Sequence, residues 1–282
     1  MNLKVKTARL SIISNSFLII LKLTVGIISG SVSIISEAIH SSMDLLAAII
    51  AFFSVKISDT PPDTRHPYGH GKLENISGVI EAGLIFVAAG LIIGEAIKKL
   101  SDGNFELEIV WVGVLVMFIS ALVNWLVSKK LYKVAHETNS IALEADALHL
   151  KTDVYTSIGV AAGLGLILVT DIKWLDPIVA ILVALLIIYE SFNLLKRAFM
   201  PLIDSAWSDE EIRILQNKLD LMNVNYHDLR TRVAGNYKFI DLHIEIPKDQ
   251  SVDNAHKYCD MIEDELSRNY ENLTVTIHVE PV

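Results

Sequence analysis

The chain has 282 residues, is 52% hydrophobic and 20% charged, and carries a formal net charge of −9. That apolar content is high for a soluble domain and points to membrane spans, while the acidic balance argues against a nucleic-acid-binding role. The single cysteine, Cys259, excludes an intrachain disulfide and a cysteine-based zinc site; on a helix it reads as a small packing residue.

Six apolar segments long enough to span a bilayer are expected, at roughly 9–29, 33–57, 77–98, 109–128, 142–169 and 175–196. The first is too long for a signal-peptide core and is expected to be an uncleaved span. Gly30-Ser31 makes a short hairpin after it. The loop 58–75 holds Pro61, Pro62, Pro67, Gly69 and Gly71, all turn formers. Asp171 to Pro177 breaks the fifth segment from the sixth. Lys4, Lys6, Arg9, Lys56, Arg65, Lys72, Lys129, Lys130, Lys133, Lys196 and Arg197 flank one side of these segments, against Lys98, Lys99 and Lys173 on the other. By the positive-inside rule both termini are expected in the cytoplasm.

After Asp204 the composition changes, and residues 204–282 carry a net charge of −8 of the total −9. Residues 208–222 read as a helix opening on a capping box, Ser208 with Glu211. Residues 224–233 and 237–247 read as strands joined by a Gly235-Asn236 turn, with Ile240, Leu242, Ile244 and Ile246 alternating with Asp241, His243 and Glu245. Residues 252–268 read as a helix and 272–280 as a third strand. The expected fold is an α-helical membrane protein of six transmembrane helices (1–204) followed by a small α+β cytoplasmic domain of order αββαβ (205–282).

Eight of the nine histidines fall into three groups that also hold a carboxylate. Such donors suit zinc and related divalent metals. In the first group His40 and Asp44 are four apart on segment two, and His149 and Asp153 are four apart on segment five. On a helix each pair shares a face. If the faces meet, four ligands converge, which is zinc's usual coordination number, and two carboxylates neutralise a divalent cation. Ionisable residues inside a membrane are functional candidates by default; Glu37, Glu81, Glu95, Glu144 and Asp146 are weaker ones. In the second group Asp63, His66 and His70 surround a Pro-Tyr-Gly turn. In the third, His227, His243, His256 and His278 come with Glu280, where His278 and Glu280 share a strand face. His136 stands apart, in the expected loop between segments four and five. Because metal and protons compete for such ligands, alternating access of the membrane site would give metal/proton antiport.

These motifs resemble the cation diffusion facilitator family. The resemblance covers the paired His-xxx-Asp motifs, the His66-Pro-Tyr-Gly-His70-Gly-Lys72 loop and the αββαβ tail. It implies a homodimer embedded in the lipid of the inner (plasma) membrane that exports divalent metal from the cytoplasm against inward protons. Carried over by position, His40, Asp44, His149 and Asp153 are the transport ligands and Asp63, His66 and His70 a second site. His227, His243, His256, His278 and Glu280 are the tail ligands of a zinc pair. Val279 offers only its carbonyl, which leaves one ion's fourth ligand open. A His at the first position leans to zinc (Zn2+), and the same donors also serve iron, manganese, cadmium and cobalt. The resemblance further implies a Lys72–Asp204 charge pair that locks helices to tail between subunits. Metal sensing is the tail's implied role.

An enzyme is not expected. His136-Glu137 is followed by Thr138, Asn139 and Ser140, so the His-Glu-x-x-His motif of a metalloprotease is absent. A non-transporting sensor or scaffold of the same fold and a passive metal channel are the remaining rivals.

Overall fold

The structure is a computed structural model that describes residues 3–29, 32–102, 111–170, 174–268, 270 and 272–282. The side chains of Glu37, His40, Glu95 and Lys99, and the turns expected at Gly30-Ser31 and around Asp171, lie outside the described residues. Two compact units are present: residues 1–59 with 73–199, and residues 60–72 with 200–282. The sequence pattern divides the chain at 204 instead; the difference is the loop 60–72 and residues 200–204, which group with the C-terminal residues.

Among the described residues the first unit holds six long helices: α1 (Leu3–Ser29), α2 (Val32–Ser58), α3 (Lys72–Asp102), α4 (Trp111–Thr138), α5 (Ile141–Thr170) and α6 (Leu175–Phe199). Four stretches among those residues are long and apolar enough to cross a bilayer: Leu3–Ile28, Lys72–Asp102, Leu115–Thr138 and Pro177–Ile203. Large apolar side chains such as Ile28, Leu91, Phe118 and Leu182 point outward, as a lipid-facing surface requires. The interior holds many small residues beside large ones such as Leu131, Leu143 and Ile187: Ala8, Ala47, Ala51, Ala82, Ala89, Ala142, Ala147 and Ala184 are fully enclosed. Small residues let helix backbones approach closely where no hydrophobic force separates protein from lipid.

Helix α4 runs past the expected end at 128 to Thr138, so Lys129, Lys130, Lys133 and His136 sit on helix rather than in a loop. No Gly or Pro interrupts 129–138, and the break comes at Asn139, whose φ of 50° closes the helix in the left-handed region. An apolar window marks membrane thickness, not helix length. His136 lies on the face of Tyr132, with ring centroids 6.3 Å apart.

The second unit opens with the loop 60–72 and resumes at a 3-10 turn (Met200–Ile203). There follow α7 (Asp209–Leu221), β1 (Tyr226–Ala234), β2 (Tyr237–Ile246), α8 (Val252–Ser267) and β3 (Leu273–Pro281). The capping box forms as expected: Ser208 Oγ accepts the Glu211 N–H and Glu211 accepts the Ser208 N–H. The sheet order is β1-β2-β3, antiparallel between β1 and β2 and parallel between β2 and β3. The parallel pair is what α8 must bridge. Ile240, Leu242 and Ile244 pack against Leu215 and Leu219 of α7 and Cys259, Ile262 and Leu266 of α8. Both helices therefore cover one face, and the alternating polar residues of the strands face the other way.

The loop is held on the hairpin by close backbone contact. A Cβ on Gly71 would lie 2.1 Å from the Ala234 carbonyl oxygen, and Gly235, at φ +61°, sits against the Gly71 backbone. The Tyr68 ring meets Phe239 edge-on at 5.7 Å, and the Arg232 guanidinium stacks on both, 4.8 Å and 4.2 Å from their centroids. Gly71→Ala should therefore destabilise this unit by about 1–3 kcal/mol, the usual cost of overpacking. A thermal melt followed by Trp207 fluorescence checks this; an unchanged transition means the loop is not fixed here.

Candidate metal centres

The helical bundle gathers polar groups from four helices. Asp44 on α2, 5% exposed, has its Oδ1 3.0 Å from His149 Nε2 on α5. Asn15 of α1 donates to the Asp44 carbonyl at 3.3 Å, and Asn124 of α4 donates to Asp153 Oδ2 at 3.2 Å. His149 Nδ1 is buried and has no hydrogen-bond partner among the described residues. Three of the four expected ligands are thus oriented in the bundle interior. The fourth, His40, lies one helical turn before Asp44, its side chain outside the described residues. An imidazole nitrogen left unpaired in a dry interior costs free energy unless a ligand satisfies it. Carboxylate and imidazole donors suit a borderline divalent ion.

Asn15 and Asn124 do not stand out in the sequence. The signal is present all the same: both interrupt otherwise apolar segments. Ser11, Asn15 and Lys22, spaced four and seven apart, form a polar stripe on α1. Ser11 donates to Asp146 at 3.0 Å and Lys22 to Ser41 at 2.7 Å.

The loop brings Asp63, His66 and His70 together, with one ligand atom from each inside 4.8 Å of the others. Asp63 Oδ1 accepts the backbone N–H groups of Arg65 and His66 at 2.8 Å and 2.6 Å, an Asx turn that fixes the carboxylate. The His66 N–H, above all, holds the Asp63 carboxyl below the usual carboxylate range. His66 Nδ1 and His70 Nε2 approach its two oxygens at 3.2 Å and 3.4 Å. Thr60 Oγ1 is 3.0 Å from the other nitrogen of His70, and such an outer bond orients a ligating ring.

The tail site follows from strand register. His227 is opposite His243 across β1 and β2, and His243 is opposite His278 across β2 and β3. Three imidazoles therefore stand in one row on the helix-free face, with centroid separations of 5.2 Å and 4.6 Å. Glu280, two residues on, reaches back along the row. Its oxygens lie 3.0 Å from His243 Nδ1 and 3.2 Å from His227 Nε2. The hydrogen bond with His243, foremost, holds the Glu280 carboxyl below its usual range. Two overlapping ligand groups result, His227–Asp228–His243 and His243–His278–Glu280. Asp228 enters through the irregularity between His227 and Arg230, where its φ is 48°. His256 is not brought to this row: it is exposed on α8, 3.7 Å from Asp260.

Lys72 Nζ is 2.9 Å from Asp204 Oδ1 within one chain, and Arg232 approaches the same oxygen at 3.6 Å. Chiefly through the Lys72 hydrogen bond, the Asp204 carboxyl is held below the usual aspartate range. A depressed carboxyl stabilises the fold fully above its unfolded value and loses that contribution as pH falls through its folded one. Both partners are partly exposed, so the pair is worth about 0.2–1 kcal/mol. Lys72→Ala should raise the Asp204 titration and flatten the acid-side loss of stability. Thermal melts in a pH series of wild type and variant measure this; parallel curves would remove the pair's contribution.

The sequence matches the cation efflux transmembrane domain over residues 8–203 and the cation efflux protein cytoplasmic domain over residues 210–282. It is 34% identical to the uncharacterized transporter sll1263 of Synechocystis, over 93% of this chain and 85% of that protein. It is 30% identical to the cation-efflux pump FieF of Shewanella oneidensis, over 98% of this chain and 93% of the pump. Among solved structures, the metal-bound C-terminal domain of the CzcD transporter from Thermotoga maritima is 31% identical. That match covers 27% of this chain and 94% of that domain, at a TM-score of 0.24.

Proposed function

The chain belongs to the cation diffusion facilitator family of multi-pass membrane transporters, and from that premise we propose that it exports zinc from the cytoplasm by proton antiport. The observation that carries the reading is the meeting of Asp44 and His149, from different helices, inside the bundle. His40 and Asp153 complete the proposed ligand set. Metal transport across lipid needs a site whose charge cancels the ion's own, because an uncompensated charge in the membrane costs at least ~2.5 kcal/mol on insertion scales. Two carboxylates and two imidazoles meet that need. When metal leaves, the same atoms are free to take protons, which couples the two flows. The His at position 40 supports zinc over cadmium or iron.

In this reading residues 1–204 form the transport domain, with six spans and both termini cytoplasmic, in the inner membrane. Residues 205–282 regulate it in a homodimer. The histidine row with Glu280 binds the regulatory zinc pair, and the loop triad Asp63, His66, His70 binds a further, exchangeable ion. Metal on the tails lends its binding energy to one arrangement of the dimer, so rising cytoplasmic metal favours export.

Proteoliposomes loaded with a panel of divalent metals test the transport step. Zinc flux should respond to an imposed pH gradient and fall to background in Asp153→Ala; flux indifferent to the gradient would rule out antiport. For regulation, the double variant His243→Ala/His278→Ala should keep the membrane site's affinity while losing the rise in rate with metal on the tail side. A rate curve identical to wild type would sink the sensing role.

A further inference from the structure

Two carboxyl groups in the helical unit lie outside the four-ligand set and are wholly enclosed. Glu81 on α3 and Asp146 on α5 are both 0% exposed. Glu81 accepts one hydrogen bond, from Ser77 at 3.2 Å, and Asp146 one, from Ser11 at 3.0 Å. Glu81 Oε2 and Asp146 Oδ2 are buried and have no hydrogen-bond partner among the described residues. Among the described residues neither carboxyl ion-pairs with Lys or Arg.

The same unit shows how it treats an acid that is only structural. Glu74, 2% exposed, takes Lys4 at 3.1 Å, Ser58 at 2.8 Å and Ser140 as well. Among the described residues Glu81 and Asp146 have no such cation. The titratable groups within electrostatic reach of Glu81 are Asp146 and His149, and those of Asp146 include His149 and Asp44. Asp146 precedes His149 by three residues on one face of α5, about 4.5 Å along the axis. With cytoplasmic termini, that places it on the cytoplasmic side of the transport site.

An ionised carboxylate in an apolar interior is costly without a counter-charge, and a proton is the smallest one available. A proton on one of these acids also supplies a donor where two acceptors are unpaired. We propose that Glu81 and Asp146 form a proton-binding station beside the transport site, separate from the metal ligands. It releases its proton when metal enters and takes one up when metal leaves. The sense follows from charge: a dication held nearby favours the ionised carboxylate. The carboxyl O–H bond breaks, the proton passes to cytoplasmic water, and the electron pair stays on the carboxylate. This rests on the antiport reading above and adds a carrier of protons to it.

Infrared difference spectroscopy on the full-length protein in lipid, without and with zinc, tests the station directly. Wild type should show the carbonyl stretch of a protonated carboxyl that bleaches on adding zinc and shifts in D2O. Glu81→Gln and Asp146→Asn, which preserve shape, should each diminish it. In weakly buffered solution the double variant should release about one proton fewer per zinc bound than wild type. A bleach of full size in the double variant, or unchanged proton release, would overturn the station. These measurements need no pH gradient across a membrane. Gradient-independent flux would therefore reject antiport, while the carboxyl band and the proton count would still accept or reject the station.

Discussion

A carboxylate removed from water must be met by something, and in the helical unit that requirement decides which helices touch where. Glu74 is met by Lys4, which also reaches Asp59 at 3.1 Å, and by the hydroxyls of Ser58 and Ser140. One buried acid thereby ties the start of α1, the end of α2, the start of α3 and the α4–α5 junction. Asp44 is met by His149, and Asp153 by Asn124. The apolar contacts around them are made by many alanines together with leucines and isoleucines such as Leu143, Leu150 and Ile85, and apolar contacts of this kind are not directional. Position comes from the polar pairs, because a mismatched one would leave a charge unpaired in a medium without water.

In the second unit the corresponding constraint is register. A shift of β2 by one residue would turn His243 inward and Ile244 outward. The buried run Ile240, Leu242, Ile244 prevents that, since it fills the core against α7 and α8. Hydrophobic burial on one face therefore fixes a row of imidazoles on the other. The precision of the histidine row derives from the core beneath it rather than from any attraction among the rings.

Much of this is legible in the chain. Period-two alternation locates β2, the capping box locates α7, and the i, i+4 spacing of His149 and Asp153 picks out two polar side chains that meet polar partners on other helices, Asp44 and Asn124. What is not legible has identifiable causes. Apolar windows measure lipid thickness, so the polar continuation of α4 through His136 escapes them. Asn15 and Asn124 are neutral residues, and nothing in a one-dimensional pattern says that a lone amide will bond a backbone carbonyl, as Asn15 does at Asp44, or a carboxylate, as Asn124 does at Asp153, on another helix. His256 resembles the other tail histidines in composition, yet helix α8 is on the far side of the sheet from the row. The attachment of the loop 60–72 to the hairpin depends on Gly71 fitting against Ala234, a contact between residues far apart in sequence.

That attachment has a consequence for synthesis. The loop emerges from the ribosome well before the hairpin that receives it. The interval is roughly ten to thirty seconds at ordinary elongation rates. During that time Tyr68 lacks the ring on which it will rest, and Asp63, His66 and His70 lack the support that orients the segment. The second unit is thus discontinuous in the chain and closes late. A tail expressed by itself from residue 205 would fold its own sheet but lack one wall, and a chain truncated before β1 would keep the loop with nowhere to dock.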